Sequence, residues 1–223
     1  MKPLAIDLFA GLGGWTDGLL AEGYYVVGFD IERHEYGDAK YPAQLVLQDV
    51  LTLHGSQFRD AALIVASPPC QEFSYMAMPW SRAKAKRAAI LADPAERKRL
   101  TALFDACFRI QREATEAAGH FIPLVVENVR GANEWVGRSR WNFGSFHLWG
   151  DVPALMPMTK SIKNTGGSWF NIGSPGQKVT NNNPARKSSH STARKAASAA
   201  IAKIPFALAR HIAAAWRPRE ICI

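Results

Sequence analysis

Cys70 stands in the run Ala66-Ser67-Pro68-Pro69-Cys70-Gln71-Glu72-Phe73-Ser74, directly after the apolar stretch Ala61-Ala62-Leu63-Ile64-Val65. Two successive prolines fix φ and remove two backbone donors, so the segment can continue neither as helix nor as central strand. A thiol held that stiffly at the end of a buried strand is placed for nucleophilic chemistry, adding to a substrate and later leaving it. A second apolar run, residues 122–126, ends in Glu127-Asn128-Val129. A carboxyl group there could act as a general acid or grip a polar substrate edge. The plainer readings are a buried structural thiol for Cys70 and a backbone-bonded carboxylate for Glu127.

The first turn of the chain carries Phe9-Ala10-Gly11-Leu12-Gly13-Gly14. Glycines between a strand and a helix let a ligand approach the backbone at a helix N-terminus. No lysine followed by serine or threonine comes after them, so this is not a phosphate-binding P-loop. Asp30, at the end of the next apolar run, suits the hydroxyls of a ribose. Asp49 and Val50 follow a third run and could hold and pack an adenine ring. Trp15 could stack on its other face or simply be core. Together these residues describe a nucleoside pocket, for a dinucleotide or for S-adenosylmethionine.

The elements that must position these groups are read from the apolar pattern. Residues 4–9, 24–29, 43–47, 61–65 and 122–126 are short apolar runs, and residues 144–149 form a sixth candidate strand. Helical stretches alternate with them, one reaching about residue 21 and one opened by Asp93-Pro94 and stopped by Gly119. The alternation predicts an α/β, doubly wound, mostly parallel sheet. Residues 73–92 read as a long, polar, basic loop, fit to close over a substrate. Residues 196–216 read as helix interrupted by Pro205.

The 223 residues suffice for one ordinary α/β domain. Hydrophobic content of 48 % and charged content of 21 % are those of a globular protein, and no run approaches the roughly 20 residues of a membrane span. Three scattered cysteines fit a reducing cytoplasm, and the six histidines show no metal-ligand spacing with them, so no metal is expected. Net charge is +8, and from Asp151 onward eleven lysines and arginines face two acids. Such a tail favours nucleic acid through its phosphates, with a solvated basic surface as the alternative.

The Pro-Pro-Cys turn, Glu127-Asn128-Val129 and Asp7-Leu8-Phe9-Ala10-Gly11-Leu12-Gly13-Gly14 occur in the order found in the DNA cytosine-5 methyltransferases. Over residues 2–129 the chain resembles that family, in the manner of a short, phage-like or restriction-modification member. The resemblance implies a Rossmann-like S-adenosylmethionine-dependent fold with a minimal recognition region. It divides the chain into a catalytic domain at 1–150, a short basic recognition region at 151–195 and a returning C-terminal helix at 196–223. It implies Cys70 as nucleophile on C6 of a flipped-out cytosine and Glu127 as the acid gripping the base. The cofactor would lie against Phe9, Gly11, Leu12, Gly13, Trp15, Asp30, Ile31, Asp49, Val50 and Pro69. DNA would meet Gln71, Ser74, Trp80, Ser81, Arg82, Asn128, Lys178, Asn182 and Arg186, with Asn181 and Asn183 as further readers.

Three departures from the family pattern stand out. The arginine that contacts the base's O2 usually lies well downstream. Here Arg140 is the first candidate and Arg138 the second, with phosphate contacts as the alternative. The recognition region is small, which implies a relaxed or very short target. The family's final Gly-Asn is replaced around Lys203. That lysine reads either as a solvent- or DNA-facing cation or as the partner of a carboxylate on a modified donor. RNA as substrate and an inactive nucleic-acid binding protein remain as further alternatives. The protein is expected to act as a monomer.

Overall fold

The computed structural model describes residues 2–73, 80–156 and 191–218. Seven strands form one sheet: β1 (Leu4–Leu8), β2 (Tyr25–Asp30), β3 (Gln44–Leu47), β4 (Ala61–Ala66), β5 (Leu124–Asn128), β6 (Trp141–Phe143) and β7 (Phe146–Gly150). Their order across the sheet is β3-β2-β1-β4-β5-β7-β6. The first five are mutually parallel, while β7 runs antiparallel to β5 and β6 antiparallel to β7. The chain steps outward from β1 to β3 and then returns to β4 on the other side of β1. That reversal opens a crevice beyond the carboxyl ends of β1 and β4, the place where open α/β sheets hold ligands.

Among the described residues, six helices flank the sheet: α1 (Gly14–Ala21), α2 (Trp80–Ala92), α3 (Pro94–Ala118), α4 (Asn133–Val136), α5 (Thr192–Ala202) and α6 (Phe206–Trp216). Alternate residues of each central strand enter opposite cores. Ile64 and Ala66 of β4 pack with Phe104 and Ile110 of α3. Leu63 and Val65 pack with Trp15 and Leu19 of α1 and Leu208 and Ile212 of α6. Burial on both faces is why these strands read as continuous apolar runs. At the start of α3 the Asp93 carboxylate accepts from the Ala95 amide at 2.8 Å, and at its end Gly119 adopts a left-handed φ of 71°. Among the described residues, no helix is long and apolar enough to cross a membrane.

Two expectations are corrected. Residues 80–92 are helix α2 and not loop, so Trp80, Ser81 and Arg82 open a helix. The composition explains it, since Ala, Lys, Arg and Leu are strong helix formers. The sixth strand expected at 144–149 is β7, and it pairs with the three-residue β6, which had no sequence signal.

Helices α1 and α6 pack backbone to backbone. A Cβ on Gly14 would lie 2.4 Å from the Ile204 nitrogen, and one on Gly18 2.4 Å from the Arg210 nitrogen. Gly18→Ala should therefore destabilise the protein. Alanine's better helix propensity returns about 1 kcal/mol, but overpacking against immovable backbone costs up to about 3 kcal/mol, so a net loss of up to about 2 kcal/mol is expected. Urea unfolding reads it, and an unchanged midpoint would show that the helices can part freely. Nearby, the Nε2 of His211 on α6 donates to the Leu155 carbonyl at 2.8 Å, and Ser191 caps α5 by accepting from the Arg194 amide.

Candidate active site at the strand ends

The glycine turn after β1 contains the one non-glycine residue with positive φ among those described, Phe9 at 60°. The Gly13 amide donates to the Ala10 carbonyl at 2.8 Å and closes the turn. Its glycines have different tasks. A Cβ on Gly13 would strike the Pro42 ring at 2.4 Å, so Gly13 serves close packing. A Cβ on Gly11 would meet only the Phe9 carbonyl at 3.9 Å, so Gly11 leaves open space in front of the backbone. Phe9 is half-buried and Leu12 buried.

Asp30 ties β2 to this turn. Its Oδ2 accepts from the Gly11 amide at 2.9 Å and its Oδ1 from the Glu32 amide at 3.3 Å. Burial pushes its carboxyl up, but His34 and the two amides outweigh burial and hold it below the usual carboxylate range. Next to it Ile31 is 73 % exposed, an apolar side chain facing open space beside the turn. Beyond β3, Asp49 accepts from the Leu51 amide at 2.9 Å and opens a short 3-10 turn over Val50–Thr52, with Val50 buried. An open glycine, a fixed carboxylate, an exposed isoleucine and a second carboxylate at adjoining strand ends fit a nucleoside with a ribose and an adenine.

Trp15 does not complete that pocket. It is 2 % exposed and packed in the α1–α6 core, with its Nε1 donating to Ser67 Oγ at 2.9 Å. No ring face is left to stack on a base, and the core alternative holds. Its bond links the glycine turn's helix to the Pro-Pro-Cys turn.

That second turn is fastened at several points. The Ser67 amide donates to the Leu8 carbonyl at 3.2 Å, Asn128 Nδ2 donates to the Pro68 carbonyl at 2.8 Å, and the Phe73 amide donates to the Cys70 carbonyl at 3.0 Å. Asn128, expected among the DNA contacts, is 1 % exposed, and its side chain is occupied by the Pro68 carbonyl and the Val129 amide. It positions the turn and does not reach a substrate. Glu72, two residues after Cys70, is ion-paired with Lys86 of α2 and lies 4.0 Å from Arg99 of α3. Pro69 and Gln71 are exposed, as is Ser81.

Cys70 is half-buried and Glu127 buried. Burial raises the Cys70 thiol, and the neighbouring Glu127 raises it further. Burial also pushes the Glu127 carboxyl up to about 8, against a lowering hydrogen bond from Ser67. Glu127 is therefore a neutral acid at pH 7, able to donate. The pair can supply a nucleophile and a proton donor to one substrate ring.

Glu127 pairs with Leu148 on β7, whose partner on β6 is Trp141, and the Arg140 amide donates to the Leu148 carbonyl at 2.8 Å. Arg140 thus stands one residue before the position in line with Glu127, about two strand spacings or roughly 10 Å away. Arg138 lies two residues further out, and both arginines are exposed. Lys203 forms an ion pair with Asp17 of α1 at 2.8 Å, so the carboxylate it meets is the chain's own. Ser74, Lys178, Asn181, Asn182, Asn183 and Arg186, and the side chains of Trp80 and Arg82, lie outside the described residues. Among the described residues, no cluster of three or more metal-ligating side chains occurs.

Sequence reading missed a buried polar cluster beneath the glycine turn. Asp7 Oδ2 accepts from Thr16 Oγ1 at 2.6 Å, the Tyr41 hydroxyl lies 2.6 Å from Thr16 Oγ1, and Asp7 Oδ1 is buried without a partner. Thr16 lies nine residues after Asp7 on another element and Tyr41 thirty-four, so no local spacing connected them. Burial drives the Asp7 carboxyl up to about 8. The native state thus keeps a proton that the unfolded chain releases near pH 4, and stability falls as pH rises through that window. A single such group contributes a slope of at most about 1.4 kcal/mol per pH unit. Asp7→Asn should remove that share and flatten the melting temperature between about pH 5 and pH 8. An undiminished slope would show that Asp7 is ionised in the fold.

The sheet order, its switch point and its flanking helices define a Rossmann-like, doubly wound α/β fold. Residues 4–99, less than half of the chain, match the family model described as C-5 cytosine-specific DNA methylase. Similar solved structures include an E. coli prophage-encoded methyltransferase assigned to DNA modification, 22 % identical over 59 % of this chain and 33 % of that one, TM-score 0.38. Another is the S. pombe Dnmt2 methyltransferase, 18 % identical over 61 % of this chain and 37 % of that one, TM-score 0.38. A third is the Entamoeba histolytica methyltransferase EhMeth, 17 % identical over 61 % of this chain and 41 % of that one, TM-score 0.38. This chain thus spans well under half the length of each. No curated protein matches it.

Proposed function

We propose that this chain transfers a methyl group to C5 of a flipped-out cytosine in DNA, with Cys70 as nucleophile and S-adenosylmethionine as donor. The observation that carries the reading is the buried carboxyl of Glu127 near the end of β5, beside the half-buried thiol of Cys70 after the adjacent parallel strand β4. C5 of cytosine is too weak a nucleophile to attack a methyl group unaided. Cys70, its proton released to solvent, bonds to C6 as the thiolate, and the ring's electrons move toward C5 and N3. Glu127 donates to N3 and accepts from the exocyclic amine, so the ring is activated where charge develops. C5 then takes the methyl group, the donor's sulfur leaving as a neutral thioether, and gives its own proton to water as the C6–sulfur bond breaks to release the Cys70 thiolate.

When bound, the donor supplies an electrophilic sulfonium methyl. Phe9, Gly11, Leu12, Ile31, Asp30, Asp49 and Val50 would hold it, with Pro69 bordering the methyl end. Arg140 is assigned to the base's O2 and Arg138 to the adjoining phosphate. Gln71, Ser81 and the basic stretch after residue 156 are assigned to DNA. The fastening of the Pro-Pro-Cys turn by Asn128, Ser67 and Glu72 supports the reading, because covalent attack needs a fixed sulfur.

A duplex carrying 5-fluorocytosine tests it. Fluorine at C5 cannot leave as a proton does, so the adduct should persist through denaturing electrophoresis when donor is present. RNA with the same base is the parallel arm. Trapping on RNA alone would replace the substrate, and trapping on neither would overturn the reading.

A further inference from the structure

The donor pocket contains a histidine with no assigned task. His34 is four residues beyond Asp30, and its Nε2 lies 3.7 Å from Asp30 Oδ1. That distance is too long for a hydrogen bond but close for an ion pair. The side chains of His34 and Asp30 are 21 % and 11 % exposed, so the imidazole covers the carboxylate from the solvent side. Asp30 Oδ2 accepts from the Gly11 amide at 2.9 Å, while Oδ1 has only longer contacts, the Glu32 amide at 3.3 Å and His34 at 3.7 Å.

We infer that His34 is a positioning residue for the donor, controlling through its own charge whether Asp30 Oδ1 accepts a ribose hydroxyl. The inference rests on reading the strand-end crevice as the nucleoside pocket. Protonated, His34 is held by Asp30, and its Nε2–H turns toward Oδ1 in competition with a ribose hydroxyl. Neutral, it leaves Oδ1 to the ligand and removes a positive charge from a site that must take a cationic sulfonium. The groups facing His34 are Asp30 at the end of β2, Glu32 at 3.8 Å, the Tyr36 hydroxyl at 3.4 Å, and Lys195 from α5. Asp30 and Glu32 favour the charged imidazole, while burial and Lys195 oppose it, and the balance raises its pKa above the ordinary histidine value. The imidazole therefore keeps its proton to a higher pH than a free histidine. Affinity for the donor rises as pH rises through that point.

Equilibrium binding by calorimetry tests this without catalysis. S-adenosylmethionine should bind the wild-type chain about fivefold more tightly at about pH 8 than at about pH 6. S-adenosylhomocysteine, which lacks the sulfonium charge, should show a smaller step. In His34→Gln the step should vanish for both. A step that persists in the variant overturns the inference and passes the titration to Asp7. A second measurement uses the unmodified protein: by linkage, the ligand that prefers neutral His34 must lower that histidine's pKa, visible in its imidazole NMR signals. An unmoved or raised value overturns the inference while leaving the pocket intact. Failure of the wild-type chain to bind either nucleoside overturns both.

Discussion

Cys70→Ala should abolish the covalent adduct with 5-fluorocytosine DNA and lower methyl transfer by at least about a thousandfold, because the reaction needs a thiol at the strand ends and the other described thiol cannot supply it. Cys107 is fully buried on α3, and burial raises its thiol well beyond any useful range. The variant should still bind DNA, since phosphate contacts carry most of the affinity and do not involve the sulfur. It should also fold, because the turn is fixed by Asn128, Ser67 and the prolines rather than by the thiol. Single-turnover transfer of labelled methyl groups measures the loss. Residual transfer within tenfold of wild type would remove Cys70 from the chemistry. Loss of folding would instead place the sulfur among the structural groups.

Glu127→Gln isolates the proton. Glutamine keeps the shape, can still donate to N3 through its amide and can accept from the exocyclic amine. It cannot transfer a proton, so a loss of about a hundred- to a thousandfold is expected. The pH profile is more telling than the rate. The reactive form needs Cys70 deprotonated and Glu127 protonated, while Glu127 loses its proton near 8 and the thiol above its ordinary value. In the wild type the logarithm of the rate climbs with pH and levels off near 8, where Glu127 starts to ionise as fast as thiolate accumulates. It falls only beyond the thiol's own pKa. In Glu127→Gln the climb should continue past pH 8 and no alkaline fall should follow. The two groups interact, so the breaks belong to the pair. A variant that levels off at the same pH as wild type would show that Glu127 is not the titrating acid.

Much of this site was legible because its signals are local. A Pro-Pro-Cys turn after five apolar residues fixes the end of β4 within ten positions, and Asp93-Pro94 fixes the start of α3. The parallel strands were legible because burial on both faces makes them continuous apolar runs. Helix α2 was misread as loop because its polar, basic composition masked high helix propensity. The tasks of Trp15, Asn128 and Gly18 were hidden for another reason. Each is decided by a partner far along the chain: Trp15 by Ser67, Asn128 by Pro68 and Gly18 by Arg210. The same holds for His34, whose neighbour Lys195 comes from α5. A tryptophan after a glycine turn looks like a ligand platform until the sheet order shows which core it faces.

The backbone-close packing of α1 on α6 also anchors both flanks of residues 157–190. The Leu155 carbonyl is fastened to α6, and Ser191 caps the helix leading to Lys203 and its bond with Asp17 of α1. Each flank is thus tied to the α1–α6 pair, whose first helix follows the glycine turn. Under the proposed function, residues between those points could be exchanged for another recognition sequence without touching these fastenings.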